Sequence, residues 1–393
     1  MTDKKTGFSK KPLNAIINHD MEGRLCQEAC QRRISMILVA QNDDAGRRLD
    51  RILRKALPDF PLSALNRLLR KGKVLVNGKS AEGKDRITAG TVIKIPVQKT
   101  ERQLNEDQPA NRKQRPGRKQ NKTKPDILWE GTGLLILNKP AGLATHAHLL
   151  SGQADTLEKQ VLSYVAGTLP PSLSFRPGPL HRLDKPTSGI IVFALSLDAA
   201  RYFSVLLKEG SIRKRYLSIV EGELRQNEVW EDVLFRDQEK QKTFVSGGVP
   251  SALAESAGHA EPSRLSKILK GRRAFTRITP LARAKQNGTV YTYVLLEIET
   301  GRTHQIRAQA ARRSHPLAGD RKYGGKPLPA TQPGSRFFLH AAELELPASE
   351  TTLPGIPRII RAPLPEAFEQ TVKNLFGCYP HQGSAVPEAP MPG

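Results

Sequence analysis

The sequence predicts an α+β protein in which a small α/β module precedes a larger domain built on a sheet. A length of 393 residues exceeds what one hydrophobic core usually serves, so two or three domains are expected. Strand-like and helix-like apolar patterns follow one another in both halves of the chain. Between the halves, residues 99–125 contain almost nothing to bury, which predicts a basic flexible linker.

The charge balance indicates an anionic partner. The formal net charge is +24 and the isoelectric point is about 10.1. Such an excess is typical of a protein that follows a phosphate backbone. A merely solvated basic surface is the weaker alternative. Membrane-surface binding is a third possibility, but the sequence contains no basic amphipathic helix with an aromatic face that would support it.

The remaining composition predicts a cytoplasmic protein without a metal site. The first residues, MTDKKTGFSKK, lack an apolar signal region, and no apolar run approaches the length of a membrane span. Cys26, Cys30 and Cys378 do not form a disulfide framework. The spacing of CQEAC is near that of metal ligands, but no second Cys/His pair completes a site, so we attribute it to chance.

The N-terminal module is expected over residues 36–98, after a disordered extension at 1–35. Met36, before the strand-like run MILVA, could be an alternative start. Apolar residues from Leu49 to Leu57 recur at helical spacing. Ser63 is expected to cap a second helix with an apolar stripe, and Gly72 to end it. KVLVNGK then predicts a strand with Asn77 and Gly78 at a turn, and TVIKIP another strand.

Five cations cluster at one corner of this module. They are Arg67, Arg70, Lys71, Lys73 and Lys79. An ordinary charged helix face is the bland alternative, but charges of one sign in one place favour RNA contact. The order of elements and the phrase LLRKGKVLVNGK resemble the S-four-type RNA-binding domain, over about 45–96.

The larger domain is expected over residues 126–377, with a loop insertion at about 246–270 and a disordered tail at 378–393. Within it, HRLDKPTSG precedes the apolar run IIVFA, so Asp184 should lie on a loop that enters a central strand. A lone Asp there is usually a turn former. A second segment, LLEIETGRTHQIRAQAARRSHPLAGDRKYGG, favours a functional role for Asp184 over that of a turn former. It predicts a strand followed by a helix capped by Thr303, which can bring further polar side chains to the same cleft.

Two further side chains of the predicted elements suggest a site. Arg307, in the first turn of that helix, could deliver a guanidinium to Asp184, keeping it ionised and fixing its direction. Tyr216, on the strand RKRYLSIVEGE, could be core or could stack on a base. The sequence lacks a kinase catalytic loop, a GxSxG elbow and a Walker loop, which excludes these enzyme classes.

Four motifs in order resemble the RluA-type pseudouridine synthase family, and with the preceding module the chain looks most like the members of that family that act on the large ribosomal subunit. The motifs are NKPAGLATH, HRLDKPTSG, KRYLSIVEG, and TGRTHQIR with HPLAGDRKYGG. The resemblance covers most of 126–377 and implies a mixed, mostly antiparallel sheet with flanking helices and a central cleft. Gln309 departs from the pattern, because relatives commonly carry His there.

The resemblance also implies roles for the site residues. Asp184 corresponds to the essential catalytic aspartate, acting either as a nucleophile or as a base that forms a glycal. The supporting residues are then Arg307 as its partner, Tyr216 on the uracil, Ile306 as an apolar wall, and Arg182 in the space that the base vacates. The isomerisation involves no net hydrolysis or oxidation, so no metal or other cofactor is expected.

The expected activity is isomerisation of specific uridines in large-subunit (23S) ribosomal RNA, free or in a precursor particle, by a monomer. A transfer-RNA substrate is one alternative. A non-catalytic RNA-binding factor for ribosome assembly is the other. A non-catalytic RNA-binding factor has no need of an isolated carboxylate in a basic cleft, which argues against this alternative.

Overall fold

The computed structural model describes the following parts of the chain: residues 34–97, 124–146, 155–169, 172–237, 241–246, 271–328, 337–348, 353 and 355–377. They fall into two compact units. The first contains the N-terminal module together with residues 167–176, and the second contains the rest. Each unit is described by itself.

The first unit is a four-stranded antiparallel sheet with two helices. Its elements are β1 (Ile34–Val39), α1 (Leu49–Ala56), α2 (Leu62–Arg70), β2 (Leu75–Val76), β3 (Lys79–Ser80) and β4 (Val92–Val97). The strand order is β1-β4-β2-β3. Asn77 and Gly78 both have positive φ (48° and 83°) and form the tight turn between β2 and β3 that the sequence predicts.

Helical periodicity builds the core of this unit. Leu49, Ile52 and Leu53 are completely buried and belong to one apolar cluster with residues of α2 and β4. The prediction that Ser63 caps α2 is wrong. The N-cap lies two residues earlier, at Pro61, and the helix begins at Leu62. Proline fixes the backbone ahead of the first turn, so the start does not depend on a capping hydroxyl.

A short segment from elsewhere in the chain completes the first unit. Asp44, whose carboxylate is fully buried, accepts hydrogen bonds from the backbone N–H groups of Leu173 and Ser174 at 3.1 and 2.9 Å. Arg47 donates to the Ser174 carbonyl at 3.1 Å. Local sequence patterns do not predict this pairing, because the partners lie far apart in the chain.

The second unit is one large sheet with four described helices. Its strands are β5 (Ile127–Gly131), β6 (Leu134–Lys139), β7 (Gly178–Pro179), β8 (Ser188–Ala194), β9 (Arg213–Glu221), β10 (Glu228–Asp237), β11 (Lys242–Val245), β12 (Arg272–Gln286), β13 (Thr289–Ile298), β14 (Leu339–Glu345) and β15 (Ile359–Arg361). Its helices are α3 (Leu157–Tyr164), α4 (Leu197–Glu209), α5 (Gln305–Arg312) and α6 (Glu366–Phe376).

The sheet is mixed and mostly antiparallel, in the order β11-β10-β12-β13-β9-β14-β8-β6-β5, with β15 on β14 and β7 on β8. Among the described strands, only β8 and β14 pair in parallel. Gly189 makes this pairing possible. Its φ is 104°, and a Cβ there would lie 2.3 Å from the carbonyl oxygen of Ala341. The architecture confirms the predicted fold class.

Apolar strands and aromatic packing form the core of the second unit. Every residue of β8 is buried, as the run IIVFA predicts for a central strand. Tyr293 of β13 packs edge-on against Phe368 of α6, with ring centroids 6.3 Å apart. Phe338 stacks on the same Phe368 ring at 4.7 Å. Strand β14 lies between β8 and β9, a position that brings their loops and side chains to one site.

Several predictions concern residues outside the described ranges. They are residues 1–33 of the N-terminal extension, most of the linker, most of the 246–270 insertion, the C-terminal tail and all three cysteines. The predicted boundary of the extension at residue 35 is wrong, because β1 already begins at Ile34. Within the described ranges, no helix has the length and apolar character needed to cross a membrane.

Candidate active site

Asp184 lies on the loop between β7 and β8, as predicted. A turn shapes this loop, since the Thr187 N–H donates to the Asp184 carbonyl at 3.0 Å. The Asp184 side chain keeps 16% of its surface exposed, so it is accessible at the mouth of the sheet. His181, on the same loop, accepts a hydrogen bond from the Val192 N–H at 3.1 Å, which ties the loop to β8.

Arg307 reaches Asp184 from the first turn of α5. The helix is anchored by Gln305, whose side-chain oxygen accepts from the Thr300 hydroxyl at 2.8 Å and from a loop N–H. The predicted cap at Thr303 is wrong. The N-cap is His304, in the left-handed conformation with φ 55° and ψ 22°. The Thr303 carbonyl instead accepts from the Thr243 hydroxyl at 2.8 Å.

The Arg307 guanidinium joins two carboxylates. It donates to Asp320 through Nε and Nη2 at 2.6 and 2.9 Å, and to Asp184 through Nη1 at 3.0 Å. The Tyr323 and Phe337 rings lie 4.9 and 4.6 Å from its central carbon. Burial opposes the charge of Arg307, but the hydrogen bonds and charges of Asp320 and Asp184 outweigh it and raise its pKa. The guanidinium is therefore a fixed, permanent cation beside Asp184.

All five residues predicted for the catalytic site line one small pocket. They are Arg182, Asp184, Tyr216, Ile306 and Arg307. Tyr216 and Ile306 are buried, whereas Arg182 is exposed. Burial and the negative charge of Asp184 raise the pKa of the Tyr216 hydroxyl, so this side chain stays a neutral phenol. The pocket combines one acid, three arginines and apolar walls, a combination suited to a flat polar ring.

This pocket shares Asp184, Arg182 and Arg307 with a larger cleft of about 980 Å³. Five cationic side chains line the cleft without forming an ion pair within the described residues, and one of them also lines the small pocket. They are Arg182, Lys185, Arg236, Arg321 and Lys322. Cations without acidic partners at the mouth of a cleft attract phosphate groups. The cleft can therefore hold a polyanionic chain above the pocket.

Lys139 supports the loop that carries Asp184. Its buried ammonium donates to the carbonyls of Pro140, Leu143 and Lys185 at 2.9, 2.8 and 3.3 Å. Burial lowers the pKa of Lys139 to about 8, although the charge of Asp184 acts in the opposite direction. The ammonium thus joins the NKP turn to the residue that follows Asp184.

Gln309, the departure from the family pattern, serves the packing of α5. It is fully buried and donates to the Trp230 carbonyl at 3.0 Å and to Asp232 at 2.7 Å. Its side-chain oxygen accepts from the Thr276 hydroxyl at 2.7 Å. The residue fixes the helix on β10 and β12, and it does not line the pocket.

In the first unit, the predicted RNA-binding residues form an exposed basic surface. All five are exposed, and none has an acidic partner within the described part of the chain: Arg67, Arg70, Lys71, Lys73 and Lys79. Helix α1 adds exposed cations that the sequence interpretation does not name, Arg51, Arg54 and Lys55. Charged residues on a helix surface give no local signal that distinguishes RNA contact from solvation.

The sequence interpretation also misses residues that contact the candidate site. It leaves out Asp320, gives His304 no catalytic role, and does not single out Tyr323 or Lys139. All four belong to motifs that carry the resemblance, so the signal is present. Their relation to the site is seen only in their hydrogen bonds to other segments, and local sequence patterns do not show contacts between distant segments.

Two family models match the chain. The model described as RNA pseudouridylate synthase matches residues 133–312. The model described as S4 domain matches residues 47–93. The first range contains Asp184, Tyr216 and Arg307, and the second contains the five basic residues of the first unit.

Curated relatives match over most of the chain. Ribosomal large subunit pseudouridine synthase C of Vibrio vulnificus is 31% identical over 346 residues, which is 86% of this chain and 96% of the relative. The protein of that name from Escherichia coli K12 is 30% identical, over 86% of this chain and 96% of the relative. Ribosomal large subunit pseudouridine synthase D of Neisseria meningitidis is 30% identical, with 82% and 77% covered.

Solved structures are more distant. Human RNA Pseudouridylate Synthase Domain Containing 1 is 24% identical, covering 64% of this chain and 95% of that chain, with a TM-score of 0.44. This score indicates only partial superposition.

Proposed function

We propose, on the premise that this chain belongs to the RNA pseudouridylate synthase family, that it converts specific uridines of large-subunit (23S) ribosomal RNA to pseudouridine. The chain is an RNA pseudouridine synthase, an isomerase. One observation carries the assignment of the site. Asp184 meets the Arg307 guanidinium in a pocket that Tyr216 and Ile306 line.

The reaction exchanges one bond between base and sugar for another. The bond from N1 of uracil to C1′ of ribose breaks, the base turns within the pocket, and C5 bonds to C1′. The proton on C5 is lost and N1 gains one, so atoms and charge balance without a redox partner. We propose that Asp184 acts directly on the reacting nucleoside, either by attack or by removing a ribose proton.

The surrounding residues support that role. Arg307 orients the Asp184 carboxylate by a 3.0 Å hydrogen bond. Asp320 in turn fixes the position of the Arg307 guanidinium. The neutral phenol of Tyr216 offers a flat surface for the uracil and a proton donor. Ile306 forms an apolar wall, and the exposed Arg182 can fill the gap that the base leaves in its stack.

A uracil inside an RNA stack cannot present its glycosidic bond, so it must leave the stack, at a cost of a few kcal/mol. The cations around the cleft and the exposed basic surface of the first unit can offset this cost by binding phosphates. We propose that the region 36–98 binds RNA and that 126–377 carries catalysis. In this proposal the enzyme is a cytoplasmic monomer that needs no cofactor.

The ribosomal substrate rests on the printed names of the relatives and on the S4 domain. To test it, the purified chain is incubated separately with large-subunit ribosomal RNA, with precursor particles and with transfer RNA. Pseudouridine is then mapped by base-specific chemical adducts that stop reverse transcription. We expect discrete sites in ribosomal RNA and none in transfer RNA. Sites confined to transfer RNA would contradict the substrate assignment, and binding without any product would favour the non-catalytic alternative.

A further inference from the structure

His304 occupies an unusual place beside Asp184. It is a non-glycine residue in the left-handed conformation, with φ 55°. Its Nε2 lies 3.5 Å from Oδ2 of Asp184, the same oxygen that accepts the hydrogen bond from Arg307. Its side chain is only 12% exposed. The imidazole therefore faces the carboxylate and is largely shielded from solvent.

The other ring nitrogen of His304 belongs to a hydrogen-bond chain. Nδ1 lies 2.9 Å from the Tyr323 hydroxyl, and this hydroxyl oxygen accepts from the backbone N–H of Thr243 at 2.9 Å. An oxygen that already accepts a fixed N–H is free to donate its own proton to Nδ1. The single ring proton of a neutral His304 then lies on Nε2 and faces Asp184.

We propose that His304 is a positioning residue, held as the neutral Nε2–H tautomer by Tyr323, that fixes the direction of the Asp184 carboxylate toward the nucleoside. The inference rests on the proposed function, because it assigns a second donor to the proposed catalytic acid. At 3.5 Å the Nε2–H contact is long, and such contacts tighten when a substrate fills the site.

Burial, together with the neighbouring cations, keeps His304 neutral. Burial lowers the pKa of the imidazole to about 4, and Asp184 alone acts to raise it. The cations facing it are Arg307 on α5, Arg236 on β10 and Lys322 beside Tyr323, and all three lower the pKa further. A neutral imidazole adds direction to Asp184 without adding a second full charge, which Arg307 already supplies.

The same hydrogen-bond chain connects the site to strand β11. Thr243 donates both its backbone N–H, to Tyr323, and its hydroxyl, to the carbonyl of Thr303. A strand at the edge of the sheet thereby fixes both the residue before His304 and its tyrosine partner. A change in β11 would therefore act on His304 from two sides, through the hydrogen bonds of Thr243 to Tyr323 and to Thr303.

The first test measures single-turnover rate constants and RNA dissociation constants for four variants. They are His304→Ala, His304→Gln, Tyr323→Phe and, as a matched control, His315→Gln, which alters a half-buried histidine outside the pocket. A misdirected catalytic group can cost about a hundredfold in rate. We expect a loss of about tenfold or more for His304→Ala and for Tyr323→Phe, with RNA affinity within about twofold. His304→Gln, whose amide N–H reaches the Nε2 position, should recover most of the rate, and the control should match wild type.

The second test reads the tautomer directly. Nitrogen-15 NMR of histidine-labelled protein at neutral pH should show His304 protonated at Nε2, assigned by loss of its signals in His304→Gln. Tyr323→Phe removes the donor to Nδ1 and should shift the Nδ1 resonance toward that of a nitrogen without a hydrogen bond, while the proton stays on Nε2 beside Asp184. A merely structural histidine would show neither the loss of rate with retained RNA affinity nor the rescue by Gln.

The outcomes separate the two proposals. Full activity in folded His304→Ala, or an imidazolium or Nδ1–H tautomer in wild type, would overturn the role of His304 alone. If wild type forms no pseudouridine on any RNA, the proposed function fails. An Nε2–H tautomer in wild type would then confirm only the hydrogen-bond arrangement around His304. The absence of product would also overturn the positioning role, since no reaction would be left for it to serve.

Discussion

The buried carboxylate of Asp320 should be essential to the stability of the second unit. The Asp320 side chain is 1% exposed and that of Arg307 is 6% exposed, and two hydrogen bonds join them. Asp320→Asn removes the negative charge and one acceptor but keeps the shape. The Arg307 charge then remains buried with only Asp184 to compensate it. Breaking a buried pair on one side costs about 3–5 kcal/mol, and we expect about 3 kcal/mol because one oxygen still accepts.

A matched control uses an exposed pair of the same type. Asp198 and Arg201 lie 3.2 Å apart, with Asp198 89% exposed. Asp198→Asn should cost less than about 0.5 kcal/mol, because solvent screens such pairs. Urea unfolding followed by tryptophan fluorescence is the assay. Both tryptophans, Trp129 and Trp230, lie in the second unit, so the signal reports on that unit alone.

Activity should fall together with stability in Asp320→Asn, because Arg307 would no longer be held toward Asp184. We expect a rate loss of about tenfold or more under conditions where the variant is folded. If the two Asn variants unfold within about 0.5 kcal/mol of each other, the account of a buried three-residue clamp is wrong.

Three further predictions follow from separate features. Lys139→Met leaves three carbonyls without their donor and should lower the free energy of unfolding by about 2 kcal/mol, with faster proteolysis of the adjacent loop. Gly189→Ala forces a Cβ to within 2.3 Å of a backbone oxygen and should prevent folding of the second unit, seen by circular dichroism, whereas Gly288→Ala, in open space, should cost about 1 kcal/mol. Replacing Lys71 and Lys73 by Gln should weaken RNA binding and lower the slope of log affinity against log salt by about 0.7 to 0.9 for each phosphate that the variant no longer neutralises, and an unchanged slope would argue against this surface.

Local patterns predict much of this fold, because strand and helix signals are local. The apolar run of β8 and the turn at Asn77 and Gly78 follow from residue type alone. The helix caps are less predictable. Ser63 and Thr303 are good capping residues by type, yet Pro61 and His304 occupy the caps, since tertiary contacts decide where the first turn begins.

The site is predictable only as far as its residues fall within recognisable motifs. The placement of Arg307 at the start of a helix and of Asp184 before a strand predicts their pairing, and the structure has that hydrogen bond. Asp320 and Tyr323 complete the cluster through interactions across loops, which no spacing encodes. The segment at 172–176, which joins the first unit through Asp44, escapes sequence patterns for the same reason.

Release of tritium from RNA labelled at C5 of uridine tests the central claim most directly. C5 loses its hydrogen only when it becomes the new point of attachment to the sugar. Wild type and Asp198→Asn should release tritium from large-subunit ribosomal RNA at equal rates, and Asp184→Asn should bind the RNA and release none. Release that persists in Asp184→Asn, or no release by wild type with binding intact on free RNA and precursor particles, would contradict the account.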